Sequence, residues 1–409
     1  MKKMCLVAAA LLAPLGSARL ASAQVNCNDA TMFPNPVYMN GSSAIVSMLQ
    51  KVGRTLNASG QATIIYKASA SCDGPNGLKN DADLTGTATA YTADPADAAK
   101  VNVVTCNLAA GIKSQIGVSD VAYDACTGEA LPATLGDFPA MVQSMLLVVP
   151  EANATFTAIS AEQARAIWGC GAKSTITPFI EETSGIQQRN KDSGTQIMVS
   201  KYIGVPADKL KGKTNAGTPD MIASLIAPGD PANRIGFVAA DAYEGSQLVG
   251  TVSTPRRALL NAVAFRGFEQ AKAYYPDSTA TATDKRNVRD GHYMIQGPLH
   301  LIAKTSGGAA SDAVAKKAID WLQGTVPVDP ANPKSYIDVV AKAGNVPQCA
   351  MKVKRDSDGG LLKPYTPAKP CGCYYETVVT GVATPPGCSV CADDTACSGG
   401  KKCNYGFCE

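Results

Sequence analysis

Apolar residues recur along the chain in two alternating patterns. Val37–Met39 reads as a short strand, and Ala44, Ile45, Met48, Leu49, Val52 and Leu56 then recur at helix spacing. Residues 62–66 read as a strand, and 85–91 with 101–105 as a β-hairpin insertion. Ile116–Asp120 and Met145–Val149 are further strands, the second stopped by Pro150. Ser160-Ala161-Glu162-Gln163 has the spacing of a capping box and predicts a helix to about Trp168-Gly169. Ile197, Met198, Tyr202 and Ile203 mark a helix after Ser193, and Thr218-Pro219-Asp220 starts another. A strand over 234–238, a polar loop over 270–291, strands at 293–295 and 299–303, and an amphipathic helix over 311–322 complete this part. Alternation of this kind predicts an α/β fold with a doubly wound, mainly parallel sheet.

The chain's two ends differ from this pattern. Lys2 and Lys3 precede an apolar run from Leu6 to Leu15 and small residues ending Ala21-Ser22-Ala23. This predicts a secretory signal peptide over residues 1–23, too short for a permanent membrane span. Beyond Lys354 large apolar residues thin out, and seven of the fourteen cysteines crowd between Cys371 and Cys408. Such a tail cannot build a core, so it should be held by its own disulfides and stand apart from the main body. Cys388-x2-Cys391 has the spacing of half a zinc site, but the tail holds no His, and no metal is expected. Export makes disulfides the default. Cys72 and Cys106 are the candidates to staple the hairpin insertion. Without Cys5 the cysteine count is odd, so at least one thiol should stay unpaired or bridge to another chain.

Charge narrows the function. Three of the 37 basic residues and none of the 34 acidic ones fall in the expected signal, so the remainder is formally neutral. Nucleic-acid binding, which needs a basic excess, is not expected. Any anion site must come from local placement.

Local placement singles out Arg189-Asn190-Lys191-Asp192-Ser193-Gly194-Thr195-Gln196. Ser193 is a natural N-cap, and Gly194 allows close approach of a ligand to the backbone. The helix start offers free N–H donors, and Arg189 adds a forked cation. Ser42 and Ser43 after the first strand, and Ser119 and Asp120 at the end of the 116–120 strand, are two further hydroxyl-bearing strand ends. In doubly wound sheets ligands bind at such carboxyl ends. Enzymatic signatures are wanting: the chain has two histidines, His292 and His300, and neither an H-E-x-x-H nor a G-x-S-x-G motif. His300 reads as a structural histidine in a buried strand. Gly169-Cys-Gly-Ala-Lys173-Ser174 lacks the glycine before lysine that a P-loop needs.

Taken together, these residues resemble the phosphate-binding (PstS) family of bacterial ABC importers. The resemblance covers roughly 37–325 and rests on Gly41-Ser42-Ser43, Ser69 to Gly77, Ile116-Gly117-Val118-Ser119-Asp120, Arg189 with Ser193-Gly194-Thr195, Arg234-Ile235-Gly236-Phe237-Val238 and Tyr293 to Leu299. It implies a two-lobed type II periplasmic-binding-protein fold and no cofactor. The lobes would be 24–145 with a return at 293–348, and 146–292; residues 349–370 would be a linker and 371–409 the Cys-rich tail. It implies a non-enzymatic, extracytoplasmic solute-binding protein, periplasmic or at the cell surface. Its ligand would be phosphate or a similar oxyanion, and its partner an ABC permease. The implied ligand-binding residues are Ser42, Ser43, Ser69, Ser71, Ser119, Asp120, Arg189, Ser193, Gly194 and Thr195, with Asp120 accepting the proton that phosphate carries and sulfate lacks. Two features depart from the family: Lys191 stands where an acidic residue is usual, and the hairpin and tail are additions. The alternative is a secreted or surface-anchored scaffold or adhesion protein of the same fold, using the tail as an interaction module.

Overall fold

Three parallel strands carry the first half of the molecule. In the computed structural model, which describes residues 25–249 and 252–409, β1 (Pro36–Ser42) lies between β2 (Thr63–Ser69) and β5 (Ile116–Ser119). The expected signal segment lies outside the described residues. Ser42 pairs with Ser69, and Gly41 with Val118, so the three strands end side by side. Helices α1 (Val46–Ala58), α2 (Asp73–Lys79) and α3 (Tyr123–Thr127) start from that edge. Met48, Leu49, Val52 and Leu56 of α1 are buried, the face that the apolar spacing marks. The expected hairpin forms from β3 (Thr87–Ala93) and β4 (Val101–Asn107) and extends the sheet by pairing with β2.

Around this parallel centre the sheet is antiparallel. β6 (Leu135–Pro150) is far longer than its expected 145–149 core. Its first part contains Gly136, Asp137, Pro139 and Gln143, which break the apolar signal, and is held as strand by register with β15. The second half of the chain follows with β7 (Ala158–Ser160), α4 (Ala161–Cys170), β8 (Gln187–Arg189), α5 (Gly194–Ile203), β9 (Lys213–Asn215), α6 (Thr218–Ile226), β10 (Gly236–Ala239) and α7 (Ala240–Tyr243). Ser160 and Gln163 form the expected capping box of α4. β11 (Ser246–Val249), β12 (Val252–Pro255), β13 (Leu260–Ala262), β14 (Ala264–Arg266) and α8 (Arg286–Arg289) lead to the returning β15 (Gln296–Ser306), which lies between β5 and β6. β10 and β13 pair with the far end of β6, so one strand runs through both halves.

β16 (Ala309–Ala310), α9 (Ala313–Gln323) and α10 (Ser335–Lys342) pack onto the first half. After them come the short pair β17 (Val353–Lys354) and β18 (Lys363–Pro364), then α11 (Gly372–Thr380). The tail carries the bridges Cys373–Cys388, Cys391–Cys403 and Cys397–Cys408, and Cys349–Cys371 ties it to the body. Cys388 and Cys391 thus sit in separate disulfides. The tail does not stand apart as expected. Cys371 and Tyr375 are fully buried in the main core, and Arg289 on α8 pairs with Glu376 at 2.7 Å.

The expected Cys72–Cys106 bridge is corrected. Cys72 is joined to Cys126 and Cys106 to Cys27. The two candidates lie in separate apolar clusters. Cys72 belongs to the main core, beside α3. Cys106 packs with Cys27, Phe33, Ile65 and Ala90 on the other side of the sheet. Among the described residues Cys170 is the free cysteine, and it is exposed.

Candidate anion site between the two halves

The carboxyl ends of β1, β2 and β5 face the start of α5, and the hydroxyls gathered there converge on one carboxylate. Asp120 is 2% exposed. Its Oδ2 accepts from Ser42 Oγ at 2.8 Å, Ser71 Oγ at 3.1 Å and Thr195 Oγ1 at 3.3 Å. Ser42 Oγ also accepts from Ala44 N at 3.1 Å, capping the turn Ser43–Ile45. Ser71 Oγ accepts from Gly194 N at 3.0 Å. Cys72 N donates to Asp192 O at 3.2 Å, so backbone from the two halves is joined at this point. Glycine is needed at 194 because a Cβ there would lie 2.5 Å from Ser71 Oγ. Gly41, at φ 130°, leads β1 past the Val118 carbonyl, which a Cβ would meet at 2.0 Å.

A second group surrounds Arg189, the last residue of β8 and 3% exposed. Its Nη1 donates to Thr218 Oγ1 at 3.0 Å. Its Nη2 donates to Ser43 Oγ at 3.3 Å and to Ala216 O at 3.2 Å. Gln196 Oε1 accepts from Arg189 N at 2.7 Å and so fixes the strand end to α5. Ser42 and Ser43 are thus divided between the two groups, one on the carboxylate and one on the guanidinium.

The electrostatics are those of a dry site. Burial pushes the Asp120 carboxyl above the usual carboxylate range, although Ser42, Ser71, the Arg189 charge and Thr195 pull it down. Burial pulls the Arg189 guanidinium down to about 10, against the attraction of Asp120 and Asp220. Among the described residues no carboxylate hydrogen-bonds to the guanidinium; its acceptors are two hydroxyls and a carbonyl. Arg189 Nε and Asp120 Oδ1 are both buried without a hydrogen-bond partner among the described residues. A buried polar atom left in this way is costly; Nε lacks an acceptor and Oδ1 lacks a donor.

The remaining expected residues lie around these groups. Ser193 caps α5, its Oγ accepting from Gln196 N at 3.5 Å. Ser119 is buried but turns away, its Oγ accepting from Val121 N at 3.2 Å and lying 3.7 Å from Cys126 Sγ. Ser69 Oγ donates only weakly, to the Gly41 and Ala70 carbonyls at 3.5 and 3.4 Å. Lys191 points outward, its side chain 65% exposed and paired with Asp192.

Thr218 was not among the expected site residues, although it binds Arg189 and its own N–H donates to Ser43 Oγ at 3.4 Å. The Thr218-Pro219-Asp220 helix start was the available signal. Asp241 on α7 was also missed. It is 1% exposed and accepts from Gln143 Nε2 at 3.2 Å and Met48 N at 3.4 Å, linking β6, α7 and α1. Burial, with a contribution from Asp120, pushes its carboxyl up to about 7. His300 is a buried structural residue held between Asp137 and Asp358, outside these two groups.

No family model matches the chain, and no curated protein matches it. Among solved structures it is similar to a putative phosphate ABC transporter substrate-binding protein from Clostridium perfringens (14% identity, TM-score 0.46, covering 76% of this chain and 99% of that one). An ABC-type phosphate transport receptor from Vibrio cholerae gives 14% identity and a TM-score of 0.44 at 76% and 99% coverage. PstS from Borrelia burgdorferi gives 13% and 0.37 at 76% and 98%. These likenesses are weak in both sequence and superposition.

Proposed function

We propose that this chain is an extracytoplasmic solute-binding protein that captures an oxyanion, phosphate, between two lobes for ABC-type import. The lobes are 24–145 with 293–348, and 146–292, with 349–370 and 371–409 added to them. One observation carries the reading: the buried Arg189 guanidinium has only neutral hydrogen-bond acceptors and an unpartnered Nε, beside a buried carboxylate with an unpartnered Oδ1. A tetrahedral oxyanion with one proton answers both, accepting from Arg189 and donating to Asp120. The donors come from both halves of the chain, as a site closed by hinge motion requires. β6, continuous through both halves, is the natural hinge element. Hydroxyls, one guanidinium and one carboxylate, all buried, are groups suited to holding an oxyanion. The six disulfides among the described residues suit an oxidising compartment outside the cytoplasm. Calorimetric titration of the purified chain with phosphate and with sulfate tests the reading. Saturable phosphate binding supports it. If no small oxyanion binds, the scaffold alternative takes its place.

A further inference from the structure

Between Cys349 and Cys371 the chain forms a loop closed at its base by their disulfide and by the β17–β18 pairing. From its sequence this stretch reads as a linker, yet its tip touches both elements that build the anion site. Asp358 Oδ2 accepts from Ala122 N at 2.6 Å. Ala122 is the N-cap of α3 and lies two residues beyond Asp120. Asp358 Oδ1 lies 3.4 Å from His300 Nε2, and His300 Nδ1 lies 2.7 Å from Asp137 Oδ2. Burial alone would lower the imidazole, but Asp137 and Asp358 raise it to about 10, so Asp358 faces a cation at neutral pH. From the other half, Lys201 Nζ on α5 donates to the Asp358 carbonyl at 3.2 Å. That helix begins with Gly194 and Thr195 at the site. Arg355 in the same tip donates to the Met294 carbonyl at 2.8 Å and lies over the Tyr202 ring of α5 at 5.3 Å.

We propose that Asp358 is a positioning residue, a clasp that holds the Asp120-bearing loop against helix α5 and so slows release of the anion. The inference rests on the anion-binding reading. Contacts made to both halves exist together only when the halves are closed, so they favour that state in proportion to their strength. Their loss should appear mainly in dissociation, since association precedes closure.

The experiment uses the full disulfide-bonded chain and inorganic phosphate. Radiolabelled phosphate is chased with excess unlabelled phosphate, and association is measured separately. Asp358→Ala should release phosphate about tenfold faster, as expected for losing a hydrogen bond to a charged group. Association should be little changed. Lys201→Ala, at an exposed position that leaves the core intact, should release several-fold faster, and Lys201→Arg should restore slow release. A general loss of stability would not produce that rescue. Unchanged release in Asp358→Ala overturns the clasp; should that variant not fold, unchanged release in Lys201→Ala overturns it. Small-angle scattering of the ligand-free proteins separates the two readings. If the unsubstituted chain takes up no phosphate, the anion reading fails, and the clasp is judged by radius of gyration alone. A larger radius for Lys201→Ala supports it, and an equal one overturns it.

Discussion

Ser71 Oγ accepts the Gly194 amide at 3.0 Å while donating to Asp120, so a single hydroxyl joins the two halves of the chain at the candidate site. The contact depends on the absence of a side chain at 194. In Gly194→Ala the new Cβ would lie 2.5 Å from Ser71 Oγ and 2.8 Å from Asp120 Cβ. Overpacking of this kind costs about 1–3 kcal/mol, so phosphate affinity should fall roughly 5- to 150-fold. A ligand-free melt should change less, because the clash exists only when the halves meet. Calorimetry beside differential scanning of the ligand-free protein checks both.

Arg189 and Lys191 separate cleanly. Arg189→Ala removes the cation from a dry site and should weaken phosphate binding by about 2–5 kcal/mol, the usual cost of truncating one side of a buried charged contact. Lys191 is 65% exposed and pairs only with Asp192, so Lys191→Ala should bind phosphate as the unsubstituted chain does. Titration of both variants under one buffer decides. Loss of binding in Lys191→Ala with normal binding in Arg189→Ala would invert the assignment.

Non-reducing peptide mapping should recover Cys27–Cys106 and Cys72–Cys126, with Cys170 alkylated in the folded protein. A Cys72–Cys106 peptide would contradict the fold described above. Reduction should loosen the packing of residues 25–27 against β4, where Cys27 N donates to Asn107 O at 2.8 Å.

What was legible in the sequence was what local rules write. Ser193, Gly194 and Thr195 announce a helix start, and Ser42 and Asp120 announce strand ends, because capping and turn chemistry act over a few residues. Their convergence follows from the parallel order β2–β1–β5, which alternation of strands and helices also suggests. Pairings set by distant packing were not legible. Cys72 and Cys106 look adjacent to one hairpin, yet the sheet puts them in different apolar clusters. Asp358 carries no local signal at all. Its role depends on the Cys349–Cys371 closure bringing a polar, glycine-rich stretch onto Ala122 and Lys201.

Stability should depend on pH through Asp241. Its folded carboxyl is raised to about 7, so between about 4 and about 7 the folded protein holds a proton that the unfolded chain has lost. The contribution of Asp241 to stability is therefore fully present below that window and is lost as pH rises through it, by up to about 1.4 kcal/mol per unit. Lys51 and Arg256 oppose the trend by favouring the ionised form, and Asp120 reinforces it. Asp241→Asn, which keeps an acceptor for Gln143 or Met48, should flatten the slope. Denaturant unfolding of ligand-free protein at pH 5 and 7.5 measures it; equal slopes in the two proteins would remove the assignment.

The choice between phosphate and sulfate should rest on Asp120. Its Oδ2 already accepts three hydroxyl donors, while Oδ1 is buried and unpartnered. Phosphate near neutral pH still carries a proton to donate there, and sulfate offers only another acceptor facing a carboxylate. The unsubstituted chain should therefore bind phosphate and reject sulfate. Asp120→Asn replaces the charge with an amide that both accepts and donates, so the gap between the anions should narrow from both sides. The pH dependence has a definite sign. Burial raises the Asp120 carboxyl, so on acidification it takes up its proton earlier than an ordinary carboxylate and becomes a donor. Discrimination should thus weaken as pH falls, and in Asp120→Asn it should no longer follow that titration. Competition calorimetry with both anions across the acidic range checks this. Equal binding of sulfate and phosphate by the unsubstituted chain at neutral pH would take the selectivity away from Asp120.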